Sequence, residues 1–68
     1  MQTYIQIPVK HSEEFLAMNG KIKPLCEKIE TNAEGIACHP LPGNLMTVIR
    51  LLSKNGIEYE IKVIDFIG

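Results

Sequence analysis

Two cysteines and two histidines are the residues of this chain best suited to chemistry, and their spacing limits what they can do. Cys38 and His39 are adjacent, which brings a thiol and an imidazole together in sequence. Neighbours on an extended strand point to opposite faces, so the two are not expected to act as nucleophile and base. Cys26 and Cys38 stand twelve positions apart. Parity permits one bridge, but a single disulfide without a secretory leader is an uncommon staple, so two small buried apolar residues are expected instead. With His11 the same side chains match neither C-x-x-C nor H-x-x-x-H, and no metal or other cofactor is expected.

The remaining candidates are weaker. Glu58 and Glu60 sit on one strand face about 7 Å apart, a distance open to acid–base work but also that of an ordinary solvated edge. Lys10, Lys21, Lys23 and Lys28 are interleaved with Glu13, Glu14, Glu27 and Glu30, with no aromatic platform between them for a base to stack on. The turn Pro40–Asn44 opens onto a predicted helix, whose free N–H groups suit a phosphate or carboxylate. His39, Gly43, Asn44 and Leu45 would line such a site for a small anion or nucleotide. It lacks the glycine pattern and the lysine of a phosphate loop.

These side chains must be carried by a small scaffold. The chain has 68 residues, 46% of them hydrophobic and 22% charged, with a formal net charge of −1. That is globular composition and room for one domain, residues 1–68. So small a net charge gives no long-range field for nucleic acid or an anionic membrane. No run approaches the roughly 18 apolar residues needed to span a bilayer, and Met1–Ile7 does not read as a leader, so a cytoplasmic location is expected.

Over residues 3–9 Ile5, Ile7 and Val9 share one face with the period of a half-buried strand, in which Pro8 marks either the end or an edge position. Ser12, followed by Glu13 and Glu14, reads as a helix N-cap, and Asn19-Gly20 as that helix's stop. A second helical piece is expected from Ile22 or Pro24 onward, with Leu25, Cys26 and Ile29 on its inner side. Thr31–Gly35 is a turn by composition, and Ile36–His39 a short strand. Asn44 is the expected cap of the clearest helix, in which Leu45, Val48, Ile49 and Leu52 form one stripe. Asn55-Gly56 closes it. A strand follows with Ile57, Tyr59, Ile61 and Val63 on one face. The expected fold is a small two-layer α/β (α+β) sandwich of about three strands with two or three helices on one face, in the order β-α-(α)-β-α-β.

The run Leu52–Glu60 resembles the helix-to-strand step of glutaredoxin-like folds. The place of their cysteine motif holds Pro8-Val9-Lys10-His11-Ser12 here, so no residue role transfers. The last strand is the informative irregularity: Ile64 and Phe66 fall on the face of Glu58, Glu60 and Lys62, and either a bulge reverses the side chains or both faces are apolar. A second apolar face needs a cover that the chain cannot supply. The expectation is a non-enzymatic interaction module, a small regulator or inhibitor docking on a partner protein and forming a homodimer, with Ile64, Phe66 and Ile67 at the contact.

Overall fold

A computed structural model of the chain describes residues 2–64. Four antiparallel strands form one sheet, β1 (Gln2–Pro8), β2 (Cys26–Asn32), β3 (Gly35–Pro40) and β4 (Glu60–Ile64), in the spatial order β2-β3-β1-β4. Three helices accompany it, α1 (Ser12–Ala17), α2 (Asn19–Ile22) and α3 (Leu45–Lys54). The class is that of the sequence reading, with four strands in place of three.

The extra strand is β2, and it corrects the helix expected from Ile22 or Pro24 onward. Helical turns last only to Leu25, and Cys26 is already extended at φ −115°, ψ 146°. Leu25, Cys26 and Ile29 do turn inward. They do so as the end of a 3-10 turn and as strand residues beside β3, with an irregularity between Cys26 and Lys28 that leaves Glu27 as an extra residue. A bulge of one residue makes inward positions three apart look helical. Asn19-Gly20 begin α2 rather than end α1. Ser12 is the first residue of α1 rather than its cap, because a 3-10 turn over Val9–His11 winds directly into that helix.

The turn between β2 and β3 depends on two residues. Asn32 accepts the Glu34 N–H on Oδ1 at 3.0 Å, the local side-chain turn that Asn favours. Gly35 follows at φ +137°, and a Cβ there would stand 2.0 Å from the Ile7 carbonyl oxygen. Only glycine lets β3 begin this close to β1. From that start the register Ile7↔Ile36 and Ile5↔Cys38 sets four apolar side chains on one face. Phe15, Ile22, Val48 and Leu52 come down on them from the helices to complete the buried core, which Ile57 closes.

The stripe expected on α3 is present: Val48 and Leu52 are fully buried, and Leu45 and Ile49 pack partly against the core. Its C-terminus is a Schellman turn, with Gly56 at φ +70° and with Ile57 N–H donating to Leu52 O and Gly56 N–H to Ser53 O. Asn44 sits at the N-cap position, but its side chain does not cap. Its Nδ2 donates to Leu25 O at 3.2 Å, tying the start of α3 to the start of β2. Its φ of −100° and ψ of −3° lie outside the extended region that aims a capping oxygen at the first turn.

Candidate functional site

The two faces of the sheet differ in kind. On the side away from the helices, Gln6 and Asn32 join their amides reciprocally, at 3.1 and 2.9 Å. They reach each other over β3, where Ala37 and Gly35 are too small to obstruct, and both Gln6 itself and Ala37 are buried. Tyr4 stacks on His39 with ring centroids 5.1 Å apart. His39 is buried on this face. Neither of its ring nitrogens has a hydrogen-bond partner among the described residues, and Nε2 lies 3.8 Å from Glu30 Oε2. A ring stack and an amide pair give this face its own small layer of cover.

Both edges of the sheet carry a charge pair on that same side. On β2, Lys28 Nζ is 3.1 Å from Glu30 Oε1; on β4, Lys62 Nζ is 3.2 Å from Glu60 Oε2. The hydrogen bond and charge of Lys28 hold the Glu30 carboxyl below the usual range, and Glu60 likewise holds Lys62 above its own. All four side chains are well solvated, so each pair adds little to stability by itself.

The helix side of β4 is only partly covered. Tyr59, Ile61 and Val63 share that side as expected, and Tyr59 packs against the core. Ile61 and Val63, however, are 49% and 55% exposed. The helical layer does not reach the outermost strand. Of the two readings of the irregularity near Val63, the bulge is absent: Gln2↔Ile64 through Gln6↔Glu60 run in unbroken register. Ile64 therefore lies on the face of Glu60 and Lys62, half-buried. Phe66 and Ile67 lie outside the described residues.

The turn before α3 holds a cavity of about 270 Å³ lined by Thr3, Glu27, Pro40, Leu41, Pro42, Gly43 and Leu45. Gly43 turns there at φ +86°, while Asn44 is occupied with Leu25. His39 is on the other side of the sheet, and the carboxylate in the wall belongs to Glu27. Of the anion-site candidates, Gly43 and Leu45 line this cavity together, while His39 and Asn44 are not among its lining residues.

Cys38 faces the core and His39 the opposite side, so the strand separates thiol from imidazole. Cys38 instead meets Cys26, Sγ to Sγ at 2.6 Å, both as free thiols. Burial pushes both thiols up from their ordinary pKa, Cys38 the further, where the Cys26 thiol adds to the effect. Spacing on a helix hid this meeting, because the bulge at Glu27 is what returns Cys26 to the inner face. No helix among the described residues is long and apolar enough to cross a membrane, and no cluster of three or more metal-binding side chains occurs among them. No protein-family model, curated protein or solved structure matches this chain.

Proposed function

We propose that this chain is a non-enzymatic protein–protein interaction module, a small cytoplasmic regulator or inhibitor, which pairs with a second copy of itself through β4 and docks on its partner protein in that form. The observation that carries the pairing is the self-complementarity of the β4 edge. β4 is outermost, with β1 on one side and no strand on the other among the described residues. An antiparallel copy centred on Ile61 sets Glu60 opposite the copy's Lys62 and Lys62 opposite the copy's Glu60. Ile61 then meets its own equivalent, and Tyr59 meets Val63. Such a contact is isologous and closes on itself as a dimer. It satisfies the free edge and covers the two apolar side chains that the helices leave half exposed.

The test is sedimentation velocity over a concentration series, on the native chain and on Ile61→Lys. Lysine at the two-fold axis sets like charges against each other, while a half-exposed position tolerates it in the monomer. The expected result is a dimer that becomes a folded monomer, with association weakened at least about 100-fold, since apposed buried charges cost several kcal/mol. A native chain that stays monomeric to millimolar concentration overturns the reading. So does a dimer indifferent to the substitution.

A further inference from the structure

Cys26 and Cys38 are two free thiols that the fold places in contact, and the β4 pairing makes no use of them. They come from adjacent strands on the same inner face, their sulfurs 2.6 Å apart with no bond between them. The ladder sets Cys26 opposite Pro40 and Cys38 opposite Ile29, so the two cysteines are diagonal neighbours across adjacent strands, and their sulfurs need only close from 2.6 Å to the roughly 2.05 Å of a disulfide. The two differ in access. Cys38 has no exposed surface, whereas Cys26 is half-buried. Cys26 also lines a cavity of about 400 Å³ together with Leu16, Asn19, Lys23, Glu27 and Lys28.

We propose that Cys26 and Cys38 form a reversible disulfide, made by exchange with a low-molecular-weight disulfide that enters at Cys26. In the first step the Cys26 thiolate attacks one sulfur of the small disulfide. A mixed disulfide forms on Cys26 and one small thiolate leaves, taking up the proton that Cys26 lost. In the second step the Cys38 thiolate attacks Cys26 Sγ, the mixed disulfide breaks, and the second small thiol departs with the proton from Cys38. Two protein thiols are oxidised and one small disulfide is reduced to two thiols. The division of labour follows from access: only Cys26 can meet the reagent, and only Cys38 is in place to resolve the adduct.

The cavity beside Cys26 fits a reagent of this kind. Lys23 on its wall can offer an ammonium group to a carboxylate-bearing thiol such as glutathione, while the Lys28 ammonium is held by Glu30. Among the described residues no group holds either cysteine as a thiolate, which is the device that makes a disulfide strongly oxidising. Once formed, this bridge is a staple rather than an oxidant. In a reducing compartment the pair rests as thiols and closes when the ratio of small disulfide to thiol rises. The bridge closes a short loop containing the whole β2–β3 turn, so it restricts the unfolded chain and holds β2 to the sheet.

The test is intact-mass spectrometry on the reduced native chain after incubation with glutathione disulfide. The expected product has lost the mass of two hydrogen atoms and carries no adduct, and a non-reducing digest links the Cys26 and Cys38 peptides. Cys38→Ser should stop at the mixed disulfide on Cys26, and Cys26→Ser should stay unmodified while folded. The thermal midpoint of the oxidised chain should rise by several degrees, the size of shift a stabilised small domain gives. The proposal is overturned if glutathione remains bound to the native chain. It is equally overturned if both thiols stay free in a buffer that oxidises a short dithiol peptide. The native-chain readout decides the matter even if a serine variant fails to fold.

Discussion

The two outer strands of the sheet are built from similar residues and end as different kinds of edge. β2 carries Lys28 and Glu30 on the side away from the helices, and β4 carries Glu60 and Lys62 on the same side. β2 is interrupted at Glu27, and its helix side is partly sealed by the packing of Cys26 and Ile29 against the core. A bulge and a run of charges are standard ways of making an edge unfit for a further strand. β4 has no such interruption, and its helix side leaves Ile61 and Val63 half exposed. Charge is therefore not what distinguishes a blunted edge from an open one here. The continuity of the ladder and the reach of the helical layer do that.

The most damaging way to break the comparison is to detach the blunted edge. Gly35→Ala adds a Cβ 2.0 Å from the Ile7 carbonyl oxygen and holds alanine at a positive φ. Strain of that backbone kind costs on the order of 1–3 kcal/mol before the clash is counted. A small domain has little stability to lose, so the variant should be largely unfolded at 25 °C in urea titrations followed by circular dichroism. The open edge has no equivalent residue. A variant as stable as the native chain would mean that the turn can move away from β1.

A gentler substitution separates the two edges by function. Glu60→Lys sets lysine against the copy's Lys62 and should weaken self-association roughly tenfold, each like-charged cross-strand contact costing up to about 1 kcal/mol. Adding Lys62→Glu restores opposite signs across the axis and should recover most of the affinity in sedimentation experiments. Reversing Lys28 and Glu30 in the same way should leave association unchanged. If the β2 reversal weakens the dimer and the β4 reversal does not, the open edge has been assigned to the wrong strand.

How much of this was legible beforehand depended on whether neighbouring or distant residues decided it. The α3 stripe and its Asn55-Gly56 closure are local, and both were readable. The inward side of Tyr59, Ile61 and Val63 was readable too, but its exposure was not, because exposure depends on how far the helices extend. β2 was hidden by the bulge at Glu27, which spaces Cys26 and Ile29 as a helix would. The Cys26–Cys38 contact was hidden by the same misreading. At Asn44 the residue type fits a cap, but a tertiary acceptor, the Leu25 carbonyl, competes for its amide. Glu60 and Lys62 did carry a signal: opposite charges flanking one apolar strand residue pair with themselves when the strand meets its antiparallel copy.

The smallest expected effect separates the two charge pairs by their titration. Lys28 depresses the Glu30 pKa, chiefly through a hydrogen bond and then through its charge. The stabilisation from that pair is fully present above the unfolded carboxylate value of about 4.3, and it is lost as pH falls through the depressed folded value. Glu60 raises the Lys62 pKa in the same two ways. That contribution is present below the unfolded lysine value of about 10.4 and disappears as pH climbs through the raised folded one. Acid should thus release the pair on β2 and alkali the pair on β4. Both are solvated, so the changes in stability are slight and the titrations themselves are the useful readout. In a dimer paired through β4, Lys62 gains the copy's Glu60 as a second anionic neighbour, so its midpoint should move further up with protein concentration. Glu30 lies on the far edge, and its midpoint should not depend on concentration. Carbon-13 titration of the two side chains at low and high protein concentration measures both. Equal movement of both midpoints would mean that the self-association involves the sheet face rather than the edge, because only the face carries Glu30 and Lys62 together.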